Sequence, residues 1–249
     1  MVLLVIVLGA IEVGLVYGRK HSAKTSDVTK GQVVSAASTL IGILALLIGF
    51  TFTLSVQRFD SRSEAVVSEA NAIGTAYLRS DLLPQSIRTP VRQLMREYIE
   101  ARIAESLTEI EDSTRTTLLK SAEADQVKLW QQATLAAKAE PNPVTTGLFI
   151  QALNDMIDSY SSHQAALNRH VPEDVLLFLF AVFLAAAGVA GYASGVNGVR
   201  PSGTTYVPLV VIAILVHIIL DIDRPRRGQI HVSQASMEQL WDSVKSFPQ

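Results

Sequence analysis

Cysteine is absent from this 249-residue sequence, which excludes disulfide bonds, thiolate metal sites and cysteine nucleophiles. An excess of one charge is also missing. With 21 Lys and Arg against 23 Asp and Glu, the formal net charge is -2, so nothing predicts binding to nucleic acid. Charged residues make up 18% of the chain, below the roughly 25% of an ordinary soluble protein. The hydrophobic 49% is concentrated in four blocks, and this concentration predicts a protein of the lipid bilayer.

Patterns typical of catalysis and metal binding are lacking as well. No two histidines have the His-x-x-x-His spacing of a helical metal site. The five histidines are His21, His163, His170, His217 and His231. No strand followed by a glycine-rich loop and a helix is predicted, so there is no phosphate loop of the nucleotide-binding type. We therefore predict that the protein is not an enzyme and needs no cofactor and no metal.

The four apolar blocks are long enough to cross a bilayer as helices. They cover residues 1–18, 33–56, 175–196 and 206–222. For the first block a secretory signal peptide is the alternative, but no basic segment precedes the apolar run and no Ala-x-Ala cleavage site follows it. We predict an all-α polytopic membrane protein with four transmembrane helices in two hairpins, 1–56 and 172–222.

The segment 57–171 between the hairpins alternates apolar and charged residues at helical spacing, which predicts an extramembrane bundle of amphipathic helices. No break separates the second span from this segment, so we predict one continuous helix from about 33 to 80. A polar tail, 223–249, follows the fourth span. In this tail Ser236 and Gln239 have the spacing of a capping box, which predicts that a short helix begins there.

Two charged motifs are predicted to meet at one membrane face, because four spans place the bundle, the tail and both termini on the same side. We expect these motifs to form an ion-pair network, with a tail arginine bound to Glu69, since arginine binds carboxylates in a bidentate way. The alternative is that the arginines contact lipid headgroups. The network residues are Arg58, Asp60, Arg62, Glu69, Arg79, Asp81, Asp223, Arg224, Arg226 and Arg227.

One face of the second span carries small residues at intervals of three or four. Small residues permit close helix packing, and the same face suits a narrow pore with an aromatic constriction, so both interpretations stay open. The pore-lining candidates are Ser35, Ser38, Gly42, Ala45, Gly49, Phe52 and Thr53. In the third span, Ala187, Gly191 and Gly195 form a small-xxx-small pattern, for which packing is the favoured interpretation.

Three ionisable residues lie within the predicted spans. Glu12 is a functional candidate because a charge in a span costs free energy, and the alternative is that it extends towards the lipid headgroups or pairs with Arg19. His217 and Asp221 are four residues apart on one face of the fourth span. This pair suits a proton or ion relay, or a purely structural hydrogen bond.

Two stretches resemble the signature of the bacterial bestrophin-like membrane family. The first comprises Arg58-x-Asp60-x-Arg62 and the run EANAIGTAYLRSDLLP at 69–84, and the second is DxDRPRRG at 221–228. The resemblance implies kinship with bestrophins, which are pentameric anion channels with cytoplasmic ends and a pore lined by the second span. It therefore implies a homo-oligomer that conducts small inorganic ions such as chloride, in a bacterial inner membrane with the bundle and both termini cytoplasmic. The alternative function is a non-conducting scaffold or sensor whose bundle binds a soluble partner.

Overall fold

The computed structural model describes residues 2–106, 111–224 and 228–247, and within these ranges every regular element is a helix. The all-α prediction is therefore confirmed. In chain order the α-helices are α1 Val2–His21, α2 Asp27–Arg79, α3 Gln85–Ser106, α4 Asp112–Ala139, α5 Thr146–Leu167, α6 Glu173–Val196, α7 Gly203–Asp223 and α8 Ala235–Ser246.

Helix α2 is the longest element, with 53 residues that include the apolar block at 33–56. It ends in a 3-10 turn, Ser80–Leu82, after which Leu83 is extended with a ψ of 151°. The following residue, Pro84, explains this ending, because a proline disfavours the helical conformation of the residue before it.

Three helices of the described ranges are long and apolar enough to cross a membrane. They are the helix Asp27–Leu82, which is α2 with its terminal turn, and the helices α6 and α7. The predicted first span, now helix α1, is not among them. The structure thus supports a helical membrane protein and leaves the count of four spans as a proposal.

The chain divides into two compact units, of which the first comprises residues up to Arg58 together with His170–Arg224 and Gly228–Ile230. Four helices contribute buried side chains to the core of this unit. Ile11 of α1, Leu44 of α2, Phe183 of α6 and Val216 of α7 are all fully buried. This core explains why the apolar blocks fold together, since each of them supplies one buried stripe.

The arrangement of the spans in two hairpins stays a prediction, while helix α1 packs most closely against α6. Glycine is the reason. A methyl group at Gly14 would overlap the carbonyl of Gly188, and one at Gly191 would overlap the carbonyl of Ile11. Backbones without intervening side chains can approach this closely, as the small-residue pattern of the third span predicted.

The second unit comprises Phe59–Arg169 and His231–Gln249 in its described parts, and contains the later part of α2 with α3, α4, α5 and α8. Its apolar core is built from all five helices. Fully or almost fully buried side chains are Ile73, Met95, Leu129, Met156 and Met237, one from each helix.

The predicted capping box at Ser236 is wrong. Helix α8 begins one residue earlier, at Ala235, and no side chain caps it at Gln234. The hydroxyl of Ser233 instead accepts the N–H of Ala235 at 3.3 Å. A serine at the helix start satisfies a backbone N–H that has no intrahelical acceptor, and here Ser233 has that role.

Candidate functional site

The small-residue face of α2 is exposed along its whole length. All seven pore-lining candidates, from Ser35 to Thr53, are classed as exposed. At Gly42 and Gly49 no described atom lies within 4 Å of the position that a Cβ would take. Side chains that are buried in this stretch, such as Leu44 and Ile48, lie on another face. Packing within the chain therefore does not explain this face, which is open to another subunit, an aqueous path or lipid.

Glu12 is exposed on α1 and accepts a hydrogen bond from the hydroxyl of Tyr206 of α7 at 3.4 Å. Among the salt bridges that join described residues, none links Glu12 to Arg19. The hydrogen bond to Tyr206 is thus a third arrangement, which neither of the two interpretations of Glu12 anticipated.

Asp221 closes the turn that follows α7. Its carboxylate accepts the backbone N–H of Gln229 and of Ile230, each at 2.9 Å. Gly228 is required beside it, since a Cβ there would lie 2.6 Å from the backbone oxygen of Asp221. His217 is exposed, and no hydrogen bond among the described residues joins it to Asp221. The structure thus gives Asp221 a structural role in the motif and does not bring the His–Asp pair together.

Asp223 ties the end of α7 to the segment that leads into α6. Its carboxylate accepts a hydrogen bond from the N–H of Val171 at 2.9 Å. Its backbone carbonyl accepts one from the ring nitrogen Nδ1 of His170 at 2.8 Å. Arg224 is exposed. Arg226 and Arg227 lie outside the described residues, so the tail's share of the ion-pair network stays a prediction.

Arg62 is fully buried in the second unit, where its guanidinium binds the end of helix α5. It donates to the carbonyls of Ala166 at 3.4 Å and Arg169 at 2.7 Å. The last carbonyls of a helix lack intrahelical donors and carry partial negative charge, so a guanidinium is well suited to this position. Of the other motif residues on α2, Arg58 is half-buried and Asp60 is exposed.

The motif residues near the end of α2 bind partners close to them. Arg79 donates to the carbonyl of Leu148 at 3.1 Å. Asp81 pairs with Arg92 of α3 at 2.7 Å and with Arg88 at 3.7 Å. Sequence reasoning missed these two α3 arginines because it placed only an apolar stripe on that helix.

Five polar residues form a buried cluster inside the second unit, which we call the Glu69 cluster: Glu69, Arg102, Glu105, Arg115 and His163. Arg102 binds Glu69 in a bidentate way, with Nε–Oε1 at 2.7 Å and Nη2–Oε2 at 2.9 Å, and donates to Glu105 at 2.8 Å. Arg115 donates to the backbone carbonyl of Glu105. Two carboxylates and two guanidiniums thus balance one another in the core of the unit.

The imidazole of His163 completes the cluster. Its Nδ1 lies 2.5 Å from Glu69 Oε2 and 3.2 Å from Arg102 Nη2. One nitrogen cannot donate to the carboxylate and accept from the guanidinium at once, and Arg102 can only donate. The shorter contact is to Glu69, so we assign a proton on Nδ1 that is donated to Glu69 Oε2.

Two tyrosines contact the pair formed by Glu69 and Arg102. Tyr98 donates to Glu69 Oε1 at 3.3 Å, and the guanidinium carbon lies 4.9 Å from the ring centroid of Tyr160. Gln126 donates to the hydroxyl of Tyr98 at 3.2 Å. The ring face of Tyr160 attracts the cation, while the hydroxyl of Tyr98 satisfies a carboxylate lone pair.

Burial and hydrogen bonding act in opposite directions on the cluster. Burial alone would raise the pKa of Glu69, but the hydrogen bonds and charges of Arg102 and His163 outweigh it and lower that pKa to about 2. For Arg102, burial lowers the pKa, and Glu69 more than reverses this, so that the pKa rises. Burial and the charge of Glu69 raise the pKa of Tyr98. Both members of the central pair are therefore charged at neutral pH.

Sequence reasoning named Glu69 but expected a tail arginine beside it. The arginine that occupies both of its oxygens is Arg102, at 2% exposure. A signal for this was present: Arg102 follows Tyr98 by four residues and Ile99 by three, and so continues the apolar stripe of α3. A charged residue in a buried stripe needs a buried partner of opposite charge.

The fold and the site define a helical membrane protein with a second unit that is held together by a buried ionic cluster. The model of the Bestrophin-like domain matches residues 2–237, so the chain belongs to the bestrophin-like family, as the two sequence motifs indicated. No functionally curated protein matches the chain.

Solved structures show the same fold. A bacterial bestrophin homologue from Klebsiella pneumoniae superposes with a TM-score of 0.66 at 15% identity, over 99% of this chain and 98% of that chain. A single-residue variant of a bacterial bestrophin homologue from the same organism gives 0.69 at 12% identity, over 98% of both chains. At such identities the likeness establishes the architecture, and function needs its own argument.

Proposed function

We propose that the protein is an oligomeric ion channel whose pore is lined by the small-residue face of α2. The observation that carries the proposal is the exposure of all six small residues of that face and of the neighbouring Phe52, with open space at Gly42 and Gly49. A monomeric membrane protein gains nothing from a row of glycine, alanine, serine and threonine facing lipid, whereas a narrow path between subunits needs small side chains. Membership of the bestrophin-like family supports the same function.

Several finer features belong to this proposal. We propose that α1 is a fourth span, since it packs on α6 through glycines and carries the exposed apolar residues Val5, Val13 and Val16. By kinship with bestrophins, the assembly is a pentamer in a bacterial inner membrane, with the bundle and both termini in the cytoplasm. The ion-pair network between the tail arginines and α2 is retained as part of the same proposal.

The chemistry of the α2 face does not by itself select the sign of the ion. The hydroxyls of Ser38 and Thr53 donate to the carbonyls of Val34 at 3.1 Å and Gly49 at 3.0 Å. A hydroxyl in this arrangement offers lone pairs to a cation, and after rotation it offers its hydrogen to an anion. The proposed preference for anions such as chloride therefore rests on kinship with bestrophins.

Single-channel recording tests the proposal. Purified protein in planar bilayers is expected to give unitary currents, with a reversal potential that follows the chloride gradient. Replacing Gly49 by leucine would narrow the path and lower the unitary current, whereas Phe52→Ala would remove an aromatic constriction and raise it. Silence with both anions and cations would overturn the proposal.

A second candidate function is a non-conducting scaffold or sensor, and a groove in the second unit favours it. The groove lies between the later part of α2 and α8, has a volume of about 620 Å³, and is lined by uncharged residues that include Val67, Leu78 and Leu240. Such a surface suits a protein partner. In this case Leu78→Asp would abolish binding of that partner, and the purified protein would conduct no ions.

A further inference from the structure

Three arginines lie on one face of α3, away from the Glu69 cluster. Arg88, Arg92 and Arg96 follow one another at intervals of four residues, which brings neighbouring side chains to within about 5–6 Å at Cβ. All three are half-buried. They line a surface groove of about 120 Å³, together with Gln85, Thr89 and Gln93. The groove thus combines three cations with three uncharged hydrogen-bonding side chains.

The first guanidinium is held by backbone carbonyls. Arg88 donates to the carbonyl of Asp81 at 2.9 Å and to the carbonyl of Leu83 at 3.0 Å. These carbonyls belong to the turn between α2 and α3, which Pro84 fixes. Carbonyl oxygens carry no full charge, so they orient the guanidinium and leave its formal charge in place.

The other two guanidiniums are oriented by Tyr77 of α2. Arg92 lies over the ring, 5.2 Å from its centroid, and Arg96 donates to the tyrosine hydroxyl at 3.1 Å. Tyr77 itself is 1% exposed, so its position is fixed by the core of the unit. A buried aromatic residue thus holds two cations in place. These two side chains therefore lose less conformational entropy when a ligand binds.

The groove carries an excess of positive charge. One carboxylate, that of Asp81, pairs with both Arg92 and Arg88, at 2.7 Å and 3.7 Å. Arg96 donates to an uncharged group, the hydroxyl of Tyr77. Further along the helix, Glu97 accepts the amide of Gln93 at 2.9 Å. The six residues that line the groove include three arginines and no carboxylate, so the groove favours an anion.

We propose that this groove binds a phosphate or diphosphate group, from a soluble molecule or from a lipid headgroup. Phosphate oxygens accept in several directions, so one group can bridge two neighbouring arginines, and the planar guanidinium matches this geometry better than lysine does. The uncharged side chains of Gln85 and Thr89 supply further hydrogen bonds at the rim. This binding is independent of whether the protein conducts ions.

Titration calorimetry with inorganic pyrophosphate tests the proposal, on full-length protein in a maltoside detergent, which carries no phosphate. At constant ionic strength we expect saturable binding with a Kd below about 1 mM, which corresponds to roughly 4 kcal/mol. The double substitution Arg88→Gln and Arg96→Gln should weaken binding by at least about tenfold, which is the loss of roughly one charge-assisted hydrogen bond. Unchanged affinity in this variant, or no saturable heat in the wild type, would overturn the proposal.

Two further variants guard against misfolding and unspecific charge effects. Thr89→Glu keeps every arginine and places a carboxylate in the groove, at an exposed helical position, so it should abolish binding while the thermal unfolding temperature is retained. Lys120→Gln removes an exposed cation of α4 and should leave the affinity unchanged. Equal losses in Thr89→Glu and Lys120→Gln would contradict a localised site.

A lipid arm separates the two sources of phosphate. The same titration is repeated in nanodiscs with and without phosphatidylglycerol. A lower apparent affinity for pyrophosphate in the anionic discs assigns the groove to lipid headgroups. Equal affinity in both discs assigns it to a soluble phosphate compound.

Discussion

At the Glu69 carboxylate, two physical effects of opposite sign meet in a fully buried position. Removal from water disfavours the charge, while Arg102 and His163 favour it through hydrogen bonds and proximity. The ionised form of Glu69 is favoured because both carboxylate oxygens accept well-oriented hydrogen bonds. The same arrangement makes the cluster sensitive to the loss of any one member, since the remaining charge would stay buried without compensation.

Replacing Arg102 by methionine is expected to lower the free energy of unfolding by about 3–5 kcal/mol, because Glu69 and Glu105 would be left buried without their cation. Thermal or chemical unfolding of the purified protein in detergent measures this loss. Lys30→Met is the control, because Lys30 pairs at 3.1 Å with Asp27, whose carboxylate is almost fully exposed. A pair of that kind contributes about 0–1 kcal/mol, so similar losses in both variants would contradict the assigned role of the cluster.

Acid is expected to destabilise the second unit through Glu69. Its pKa is about 2 in the folded protein and close to the ordinary value of 4.5 after unfolding, so its contribution is fully present above pH 4.5. That contribution, about 3 kcal/mol, is lost as the pH falls from 4.5 towards 2. Unfolding measured between pH 7 and 2 should show this loss in the wild type.

The acid dependence can be assigned by substitution. Glu69→Gln should unfold with a weaker dependence on pH below 4.5, because the residue no longer takes up a proton on unfolding. Glu64→Gln, at an exposed position of the same helix, should keep the wild-type dependence. An unchanged slope in Glu69→Gln would show that other carboxylates cause the acid effect.

At the scale of single helices, the contact of α1 with α6 depends on glycine. A Cβ at Gly191 would overlap the backbone of Ile11, so Gly191→Ala is expected to destabilise the first unit by about 1–3 kcal/mol through overpacking. Gly9→Ala is the control on α1, because nothing lies within 4 Å of its Cβ position. Thermal unfolding in detergent compares the two, and an equal effect would contradict close backbone packing as the cause.

Some elements follow from the sequence alone and others do not. The long helix expected from 33 to 80 runs from Asp27 to Arg79, because no proline interrupts it before Pro84. The choice of partner helix was not predictable. Gly14 and Gly18 of α1, Gly42 and Gly49 of α2 and Gly191 of α6 all permit close approach. In lipid, apolar composition does not discriminate among helix pairs.

The candidate site was predictable only in part, because the sequence identifies its residues but not their partners. Motif spacing singled out Glu69, Asp221 and Asp223 as residues with specific partners, and each does bind described groups. The partners themselves come from distant positions, such as Arg102 for Glu69 and Val171 for Asp223. Pattern reasoning along one helix cannot identify them, because they meet only through tertiary packing.

For the whole molecule, the absence of cysteine permits a direct test of the pore. In the cysteine-free chain, a cysteine at Gly49 is expected to react with a charged, membrane-impermeant thiosulfonate and to change the current, because the α2 face would contact water in the assembled channel. Ile43→Cys, also exposed but on another face of α2, is the control and should stay unreactive in lipid. Equal reactivity at both positions would contradict a pore at the small-residue face.

The balance of charge inside the Glu69 cluster has a consequence for any ion that passes near the second unit. Glu69 and Glu105 contribute two negative charges and Arg102 and Arg115 two positive ones, within a few hydrogen-bond lengths of one another. The charges of these four groups sum to zero, so their combined potential decays faster with distance than that of a single charge. An ion near the second unit would therefore respond less to these four groups than to the charges at the surface of the unit.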